Sequence, residues 1–152
     1  MPKLSNSKEN VMNIVQLIGE LSHALGIELK LSDAGTCGVF FDEDEIFFER
    51  HENQLYLIAV LGPDIGRGDA YRRMLEANYL GHECGQCTIG LDANRREFVL
   101  HRVLDGEMGY PEFEKILTVF VQVVRYWKRW LEQPIKEAQS AASHFPDGGM
   151  MA

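Results

Sequence analysis

The residues with the clearest potential for chemistry are two cysteines, in the order Cys84-Gly85-Gln86-Cys87. Thiolates at this spacing can hold a zinc ion or cycle between dithiol and disulfide, and His82 lies two residues before them. A closed zinc site needs four ligands, and the third cysteine, Cys37, is far away in the sequence. The pair also follows a predicted helix and leads into a strand, whereas a redox pair usually opens a helix. These arguments disfavour a thiol or zinc site at Cys84 and Cys87. We therefore keep a thiol or zinc-binding function only as an alternative hypothesis.

The other motifs that resemble functional sites lack essential parts. The acidic run Asp42–Glu45 has neither the spaced oxygen ligands nor the glycine of a calcium loop, and it predicts a solvated turn. The segment Gly62–Gly68 lacks the Gly-Lys-Ser/Thr ending of a phosphate loop. No histidine lies near a serine or cysteine in a local nucleophile motif. The residues therefore predict no enzyme, no metal site and no cofactor.

The composition is that of one folded domain. The chain has 152 residues, of which 45% are hydrophobic and 25% charged. Fifteen basic residues stand against 23 acidic ones, a net charge of −8 that argues against nucleic acids and anionic membranes as partners. Three cysteines do not suit a closed disulfide framework, so we expect a reducing cytoplasm. The polar first ten residues do not predict a signal peptide, and no apolar run is long enough to span a membrane.

Hydrophobic periodicity predicts an α+β domain with one twisted antiparallel sheet and three helices, in the order α-β-β-β-β-α-β-β-α. The predicted helices are Glu9–Leu25, Ala70–Tyr79 and Tyr110–Gln133. The predicted strands are Ile27–Leu31, Thr36–Phe41, Glu45–Arg50, Leu55–Leu61, Thr88–Leu91 and Glu97–Val103. We expect residues 1–136 to form the domain and residues 137–152, rich in Ala, Ser, Gly and Met, to form a weakly structured tail.

The predicted elements carry more apolar residues than one small core needs. Phe40, Phe41, Phe47 and Phe48 put aromatic rings on both faces of two short strands. A large uncovered apolar patch usually marks a protein-binding surface. Two other outcomes stay open: the first and last helices cover both faces of the sheet, or the apolar faces line a cavity that binds a small molecule.

Several short segments follow one another in a distinctive order. They are Leu25-Gly26, Leu29-Lys30-Leu31-Ser32, Gly35–Asp42, Ile46–Glu49, Leu55–Gly62, Tyr71–Gly81, Thr88–Asp92 and Phe98–Leu104, followed by a last helix with Phe113, Phe120 and Trp127. Together with the length and acidity of the chain, this order resembles the class I chaperones of bacterial type III secretion, the Tir chaperone (CesT-like) family. The resemblance covers about residues 9–133. The segment Glu83–Cys87 departs from it, because the family usually has small residues there.

This resemblance implies a homodimer without enzymatic activity. Such a chaperone binds the N-terminal segment of a secreted effector in extended form, without ATP, and keeps it stable and secretion-competent. The resemblance implies a bacterial cytoplasmic location and no cofactor, nucleic acid or membrane partner, and it leaves the secretion ATPase open as a further partner.

The family analogy also indicates two sets of site residues. The dimer interface is expected at the second helix and the strand after it, at Tyr71, Met74, Leu75, Asn78, Tyr79, Ile89 and Leu91. Effector binding is expected on the outer face of the first helix and on the early strands, at Ile14, Ile18, Leu25, Leu29, Leu31, Val39, Phe41, Ile46 and Phe48.

Overall fold

The computed structural model describes residues 12–133. The predicted tail, residues 137–152, lies outside the described residues. The helices are α1 (Ile14–Leu25), α2 (Gly68–Asn78) and α3 (Tyr110–Glu132), and a 3-10 turn, Tyr79–Gly81, follows α2. The strands are β1 (Thr36–Phe41), β2 (Asp44–His51), β3 (Gln54–Pro63), β4 (Thr88–Asp92) and β5 (Glu97–Asp105).

The five strands form one antiparallel sheet in the order β1-β2-β3-β5-β4. The strands β1, β2 and β3 follow one another as hairpins. The β4–β5 hairpin extends the sheet, because β5 pairs with β3. The strands β1 and β4 are therefore the two edges of the sheet. The predicted α+β class, with a single antiparallel sheet and three helices, is confirmed.

The first predicted strand, Ile27–Leu31, does not form. Its backbone is held by Ser22, whose hydroxyl accepts from the Leu29 amide at 3.0 Å and donates to the Ile27 carbonyl. Leu29 is 8% exposed and belongs to the hydrophobic core. The alternation of apolar residues therefore reflects packing below α1, not pairing in a sheet.

The first helix begins later than its periodicity predicts. Asn13 caps α1 by accepting from the Gln16 amide at 2.9 Å, and the Gln16 side chain accepts from the Asn13 amide at the same distance. Met12, the residue before the cap, forms a β-bridge with Met108. The predicted start, Glu9, lies outside the described residues.

One face of the sheet carries the core. Its strand residues and the helices α1 and α3 form a single buried cluster, in which Phe48 and Phe113 place their ring centroids 6.4 Å apart. Trp127 and Phe120 of α3 are fully buried in the same cluster. The first and last helices therefore share one face, and the alternative in which they cover both faces is wrong.

The opposite face is not covered by the helices of residues 12–133. Phe40 is 64% exposed, Phe47 37% and Val103 41%. We call this surface the open sheet face, made of Phe40, Phe47, Ile58, Val60, Val99 and Val103. The apolar excess seen in the sequence is thus real surface and not a second core.

Candidate protein-binding surfaces

An exposed apolar surface runs along α2 and onto the edge strand β4. Leu75, Tyr79 and Leu80 are exposed by 72%, 75% and 67%. Tyr71 and Leu75 lie one helical turn apart on the outer face of α2, and Leu91 lies on β4. We call this surface the α2–β4 strip, made of Tyr71, Leu75, Tyr79, Leu80 and Leu91. It brings together four residues of the predicted dimer interface and adds Leu80, which the sequence analysis did not include.

The other three predicted interface residues lie beneath the strip. Met74 is 4% exposed and Ile89 6%, so both side chains belong to the core. Asn78 fastens α2 to β4, because its side-chain amide donates to the Ile89 carbonyl and accepts from the Ile89 amide, each at 2.9 Å. These residues position the strip and present little or no surface of their own.

The N-terminus of α2 is tied to the C-terminus of α3 by Arg67. Its guanidinium pairs with Asp69 at 2.7 Å, donates to the Leu131 carbonyl at 3.0 Å and lies 5.2 Å from the Trp130 ring centroid. The hydrogen bond from Arg67 lowers the pKa of the Asp69 carboxyl below its usual range, despite partial desolvation. This contact fixes the angle at which α2 displays the strip.

Most residues of the predicted effector site are buried. The core side chains in this set are Ile14, Ile18, Leu29, Val39, Ile46 and Phe48, all less than 9% exposed. Leu31 and Phe41 are half-buried, and Leu25 is 38% exposed. The buried members point inward because a helix or strand with one apolar face turns that face to the core.

An apolar groove nevertheless collects part of this set on the surface. The α1 groove has a volume of about 670 Å³ and lies between α1 and the segment 29–35. Ile18, Leu29 and Leu31 from the predicted set line it, together with Val15, which is 57% exposed. Arg50 and Glu52 are among the polar residues that line it. Val15 shares the apolar side of the helical pattern, so its exposure was not evident from the sequence.

The edge strand β1 begins directly after Gly35, which lines this groove, and the edge of the strand is partly open. Ser32 occupies the outward backbone groups of Thr36, the first residue of β1. The Ser32 amide donates to the Thr36 carbonyl at 2.8 Å, and the Ser32 hydroxyl accepts from the Thr36 amide at 3.2 Å. In an antiparallel strand, residues two apart direct their backbone groups to the same side. The backbone groups of Gly38 and Phe40 therefore face outward, where no other described strand pairs with them.

The acidic turn between β1 and β2 is not simply solvated. Asp44 is 7% exposed and pairs with Arg125 at 2.8 Å and Lys128 at 2.9 Å, while Asp42 binds the same guanidinium at 2.8 Å. Burial alone would raise the pKa of the Asp44 carboxyl, but hydrogen bonds from Lys128 and Arg125 outweigh it and hold that pKa below its usual range. These ion pairs anchor the hairpin to α3, so the predicted solvated turn is wrong at Asp44.

A family model describes this arrangement of elements. The Tir chaperone protein (CesT) family model matches residues 16–128, from the first turn of α1 to the last turns of α3. The chain belongs to the Tir chaperone protein (CesT) family. The class I chaperone resemblance of the sequence is therefore confirmed, and membership of a chaperone family indicates a binding role.

Solved structures show the same CesT-family fold at low sequence identity. A chain of the ExsC–ExsE complex matches with a TM-score of 0.67 and 19% identity, over 78% of this chain and 96% of that chain. A chain of the HopA1–SchA chaperone–effector complex matches with a TM-score of 0.65 and 17% identity, over 75% and 91%. The Yersinia pestis type III secretion chaperone SycH, in complex with a fragment of YscM2, gives a TM-score of 0.60 and 19% identity, over 74% and 98%.

The search of curated proteins finds no match to this CesT-family chain. Within residues 12–133, no helix has the length and apolarity needed to cross a membrane.

The Cys84–Cys87 segment packs as a structural turn in this CesT-family chain. Both cysteines are free and buried, and burial raises the pKa of both thiols, that of Cys87 to about 11. The Cys84 thiol donates to the Asn78 side chain at 3.6 Å, on the core side of the α2–β4 strip. In residues 12–133 no three Cys, His, Asp or Glu side chains lie close enough to hold a metal, so His82 does not join the cysteines. The described geometry thus gives the thiol or zinc alternative no support.

Proposed function

We propose that this protein is a type III secretion chaperone that binds the N-terminal segment of a secreted effector in extended form. Membership of the CesT family supports a chaperone role, and the fold matches a chain of the HopA1–SchA chaperone–effector complex. The observation that carries the extended mode is the open edge of β1 beside the α1 groove. An edge with a neighbouring apolar groove is suited to an unfolded segment.

In this proposal the effector segment adds a strand to β1. Its backbone pairs with the outward N–H and C=O groups of Gly38 and Phe40. Alternate side chains of the segment then enter the α1 groove against Val15, Leu29 and Leu31. Ordering an unfolded segment costs conformational entropy, so a tight complex needs a long contact that continues beyond the groove.

We also propose that the protein is a homodimer across the α2–β4 strip. Five apolar side chains, exposed by 37–75%, leave water when the strip is covered. A two-fold axis places the same surface of each copy against the other, which suits a strip built from one helix and one edge strand. The dimer presents two α1 grooves to one effector.

Capture in this proposal needs no nucleotide, because burial of apolar surface and strand pairing supply the free energy. It takes place in the bacterial cytoplasm before secretion. The effector is held ready for export, and the secretion ATPase is a later partner.

The proposal is tested by co-expression with N-terminal segments of secreted proteins encoded in the same genome. We expect one segment to co-purify without added ATP, with a light-scattering mass of two chaperone chains and one effector segment. Far-UV circular dichroism of the complex is expected to show no more helix than the dimer alone, because the bound segment is extended. If no N-terminal segment from that genome is retained, the effector-chaperone function is wrong.

A proline variant tests strand addition separately from the chaperone role. Phe40→Pro removes an outward amide and leaves the bonds between β1 and β2 in place, whereas Phe40→Ala removes only the side chain. We expect Phe40→Pro to weaken capture at least about tenfold and Phe40→Ala to change it much less. Equal capture by both variants would contradict strand addition at β1.

A second readout applies if Phe40→Pro does not fold. Hydrogen exchange of the wild-type amides of Gly38 and Phe40 is expected to slow when the effector segment binds. Unchanged exchange at both amides in the complex would exclude the β1 edge as the binding site.

A further inference from the structure

Leu80 holds a backbone conformation that leucine rarely adopts. Its φ is 58° and its ψ is 7°, in the left-handed region where the Cβ of an L-residue crowds the backbone. Its side chain is 67% exposed, so packing inside its own chain returns little for this cost. Strain of this kind persists where the surrounding structure imposes it, and it is concentrated at functional sites.

The neighbours of Leu80 fix this conformation from both sides. Asn78, two residues earlier, is clamped to Ile89 of β4 by two hydrogen bonds of 2.9 Å. Gly81, the next residue, has a φ of 70°, and its carbonyl accepts from the amides of Cys84 at 3.3 Å and Gln86 at 3.1 Å. The turn therefore directs a strained leucine outward from a rigid support.

The strip that Leu80 extends is uncharged in a strongly acidic protein. Leu80 follows Tyr79 directly, and with Leu75 these three side chains are the most exposed apolar groups of the strip. The chain carries a net charge of −8, so a second copy is repelled wherever acidic surfaces meet. An uncharged apolar strip is the surface through which two such chains can approach.

We propose that Leu80 is an anchor that inserts into a second copy of this chain across the α2–β4 strip. This inference rests on the proposed homodimer and names a contact that the family analogy did not supply. The turn presets the leucine in its bound conformation, so association loses less conformational freedom there than with a flexible side chain. Buried anchors near the centre of an interface contribute most of the affinity.

Two substitutions test the apolar side chain of Leu80 without adding backbone strain. Leu80→Gly and Leu80→Asn both remove the apolar side chain, and both residues tolerate the left-handed region. We expect each to weaken the dimer at least about tenfold in sedimentation equilibrium. Ile27→Asn, at an exposed apolar residue outside the strip, is the matched control and is expected to leave the dissociation constant unchanged.

In a monomeric variant, Leu80→Gly is expected to have the opposite effect: it should stabilise the folded chain. Leu75→Asp places a charge on a 72% exposed position of the strip and is expected to yield a folded monomer. Adding Leu80→Gly to that monomer is expected to raise its urea midpoint, because glycine relieves the strain. If Leu75→Asp does not fold, Tyr79→Asp provides the same background at a 75% exposed position.

Each remaining outcome identifies what has failed. An unchanged dimer in Leu80→Gly, or a lower urea midpoint in the monomeric background, would overturn the anchor. A wild-type chain that is monomeric would overturn it together with the proposed homodimer. Loss of effector capture with an intact dimer would assign Leu80 to the effector instead of to the second copy. A Leu80-dependent dimer that captures no effector segment would leave the anchor standing and remove the chaperone function.

Discussion

Asp44 is the residue at which the fold depends most directly on charge. It is 7% exposed and shares its carboxylate between Arg125 and Lys128, which lie more than 80 residues further along the chain. Burying a carboxylate costs desolvation free energy, which its ion pairs and hydrogen bonds must offset, so losing a partner is destabilising. Its two partners lie on one face of α3, so the hairpin and the helix are positioned together.

Replacing Asp44 by Asn is expected to lower the free energy of unfolding by about 1–3 kcal/mol at neutral pH. The pKa of Asp44 is lowered in the folded chain, so its carboxylate stabilises fully above the unfolded pKa of about 3.9 and ceases to do so as pH falls through the folded pKa. The difference between wild type and Asp44→Asn in urea unfolding should therefore be constant above about pH 5 and shrink below about pH 4.

The exposed neighbour Glu43 supplies the control for this measurement. Glu43→Gln is expected to change the unfolding free energy by less than about 0.5 kcal/mol. All variants are compared at one protein concentration, because dimerisation adds to apparent stability. A wild-type advantage over Asp44→Asn that persists unchanged to pH 3 would contradict the ion-pair origin.

The residue types of this cluster were visible in the sequence, but their partnership was not. Four consecutive acidic residues predict a solvated turn because local sequence does not show which distant side chains approach it. The helical period does place Arg125 and Lys128 three residues apart on one face of α3. What could not be foreseen is that this face would meet the β1–β2 turn.

At the scale of elements, the outward backbone groups of one residue on each edge strand are hydrogen-bonded by a single polar residue. Ser32 occupies the outward backbone groups of Thr36 on β1, and Asn78 occupies those of Ile89 on β4. Unpaired edges invite association with other chains. One edge is adjacent to the α1 groove and the other to the α2–β4 strip, so each of the two proposed partners meets an open edge.

The turn that carries the two cysteines is held by close packing on α3. Gly85 has a φ of 55°, and a Cβ built on it would lie 2.9 Å from methyl groups of both Val119 and Val123. Gly85→Ala is therefore expected to lower the free energy of unfolding by about 2–3 kcal/mol, from overpacking and backbone strain together. Chemical unfolding measures the difference.

Gly90 on β4 is the matched control for Gly85. A Cβ at Gly90 meets no atom within 4 Å, so Gly90→Ala is expected to be neutral or to stabilise by up to about 1 kcal/mol. If the two alanine variants unfold at the same denaturant concentration, the turn does not pack as closely on α3 as the contacts indicate.

Periodicity predicted most elements because each follows a simple local rule. The helix α3, predicted as Tyr110–Gln133, is Tyr110–Glu132 in the structure, and the Thr36–Phe41 strand has its predicted bounds. The Ile27–Leu31 strand failed because alternation also fits an extended segment packed under a helix. The effector set was mostly core because the face of an alternating strand that a helix will cover depends on tertiary packing.

At the scale of the whole molecule, a net charge of −8 opposes the association that the apolar surface favours. Within residues 12–133, no helix covers the open sheet face, and nothing covers the α2–β4 strip. A high net charge keeps such a surface soluble, and it adds a repulsion that both copies in a homodimer must overcome. The balance between these terms depends on ionic strength.

The proposed dimer is therefore expected to tighten when salt is added. Raising NaCl from about 20 mM to about 500 mM shortens the screening length from roughly 20 Å to roughly 4 Å, which reduces the repulsion between two acidic chains. The strip contributes no charged side chain, so no attractive ion pair within it is screened at the same time. We expect the dissociation constant from sedimentation equilibrium to fall about three- to tenfold, while an uncharged osmolyte at equal osmolality changes it much less. A dimer that weakens steadily with salt would instead be held by ion pairs, and the α2–β4 strip would not be its principal contact.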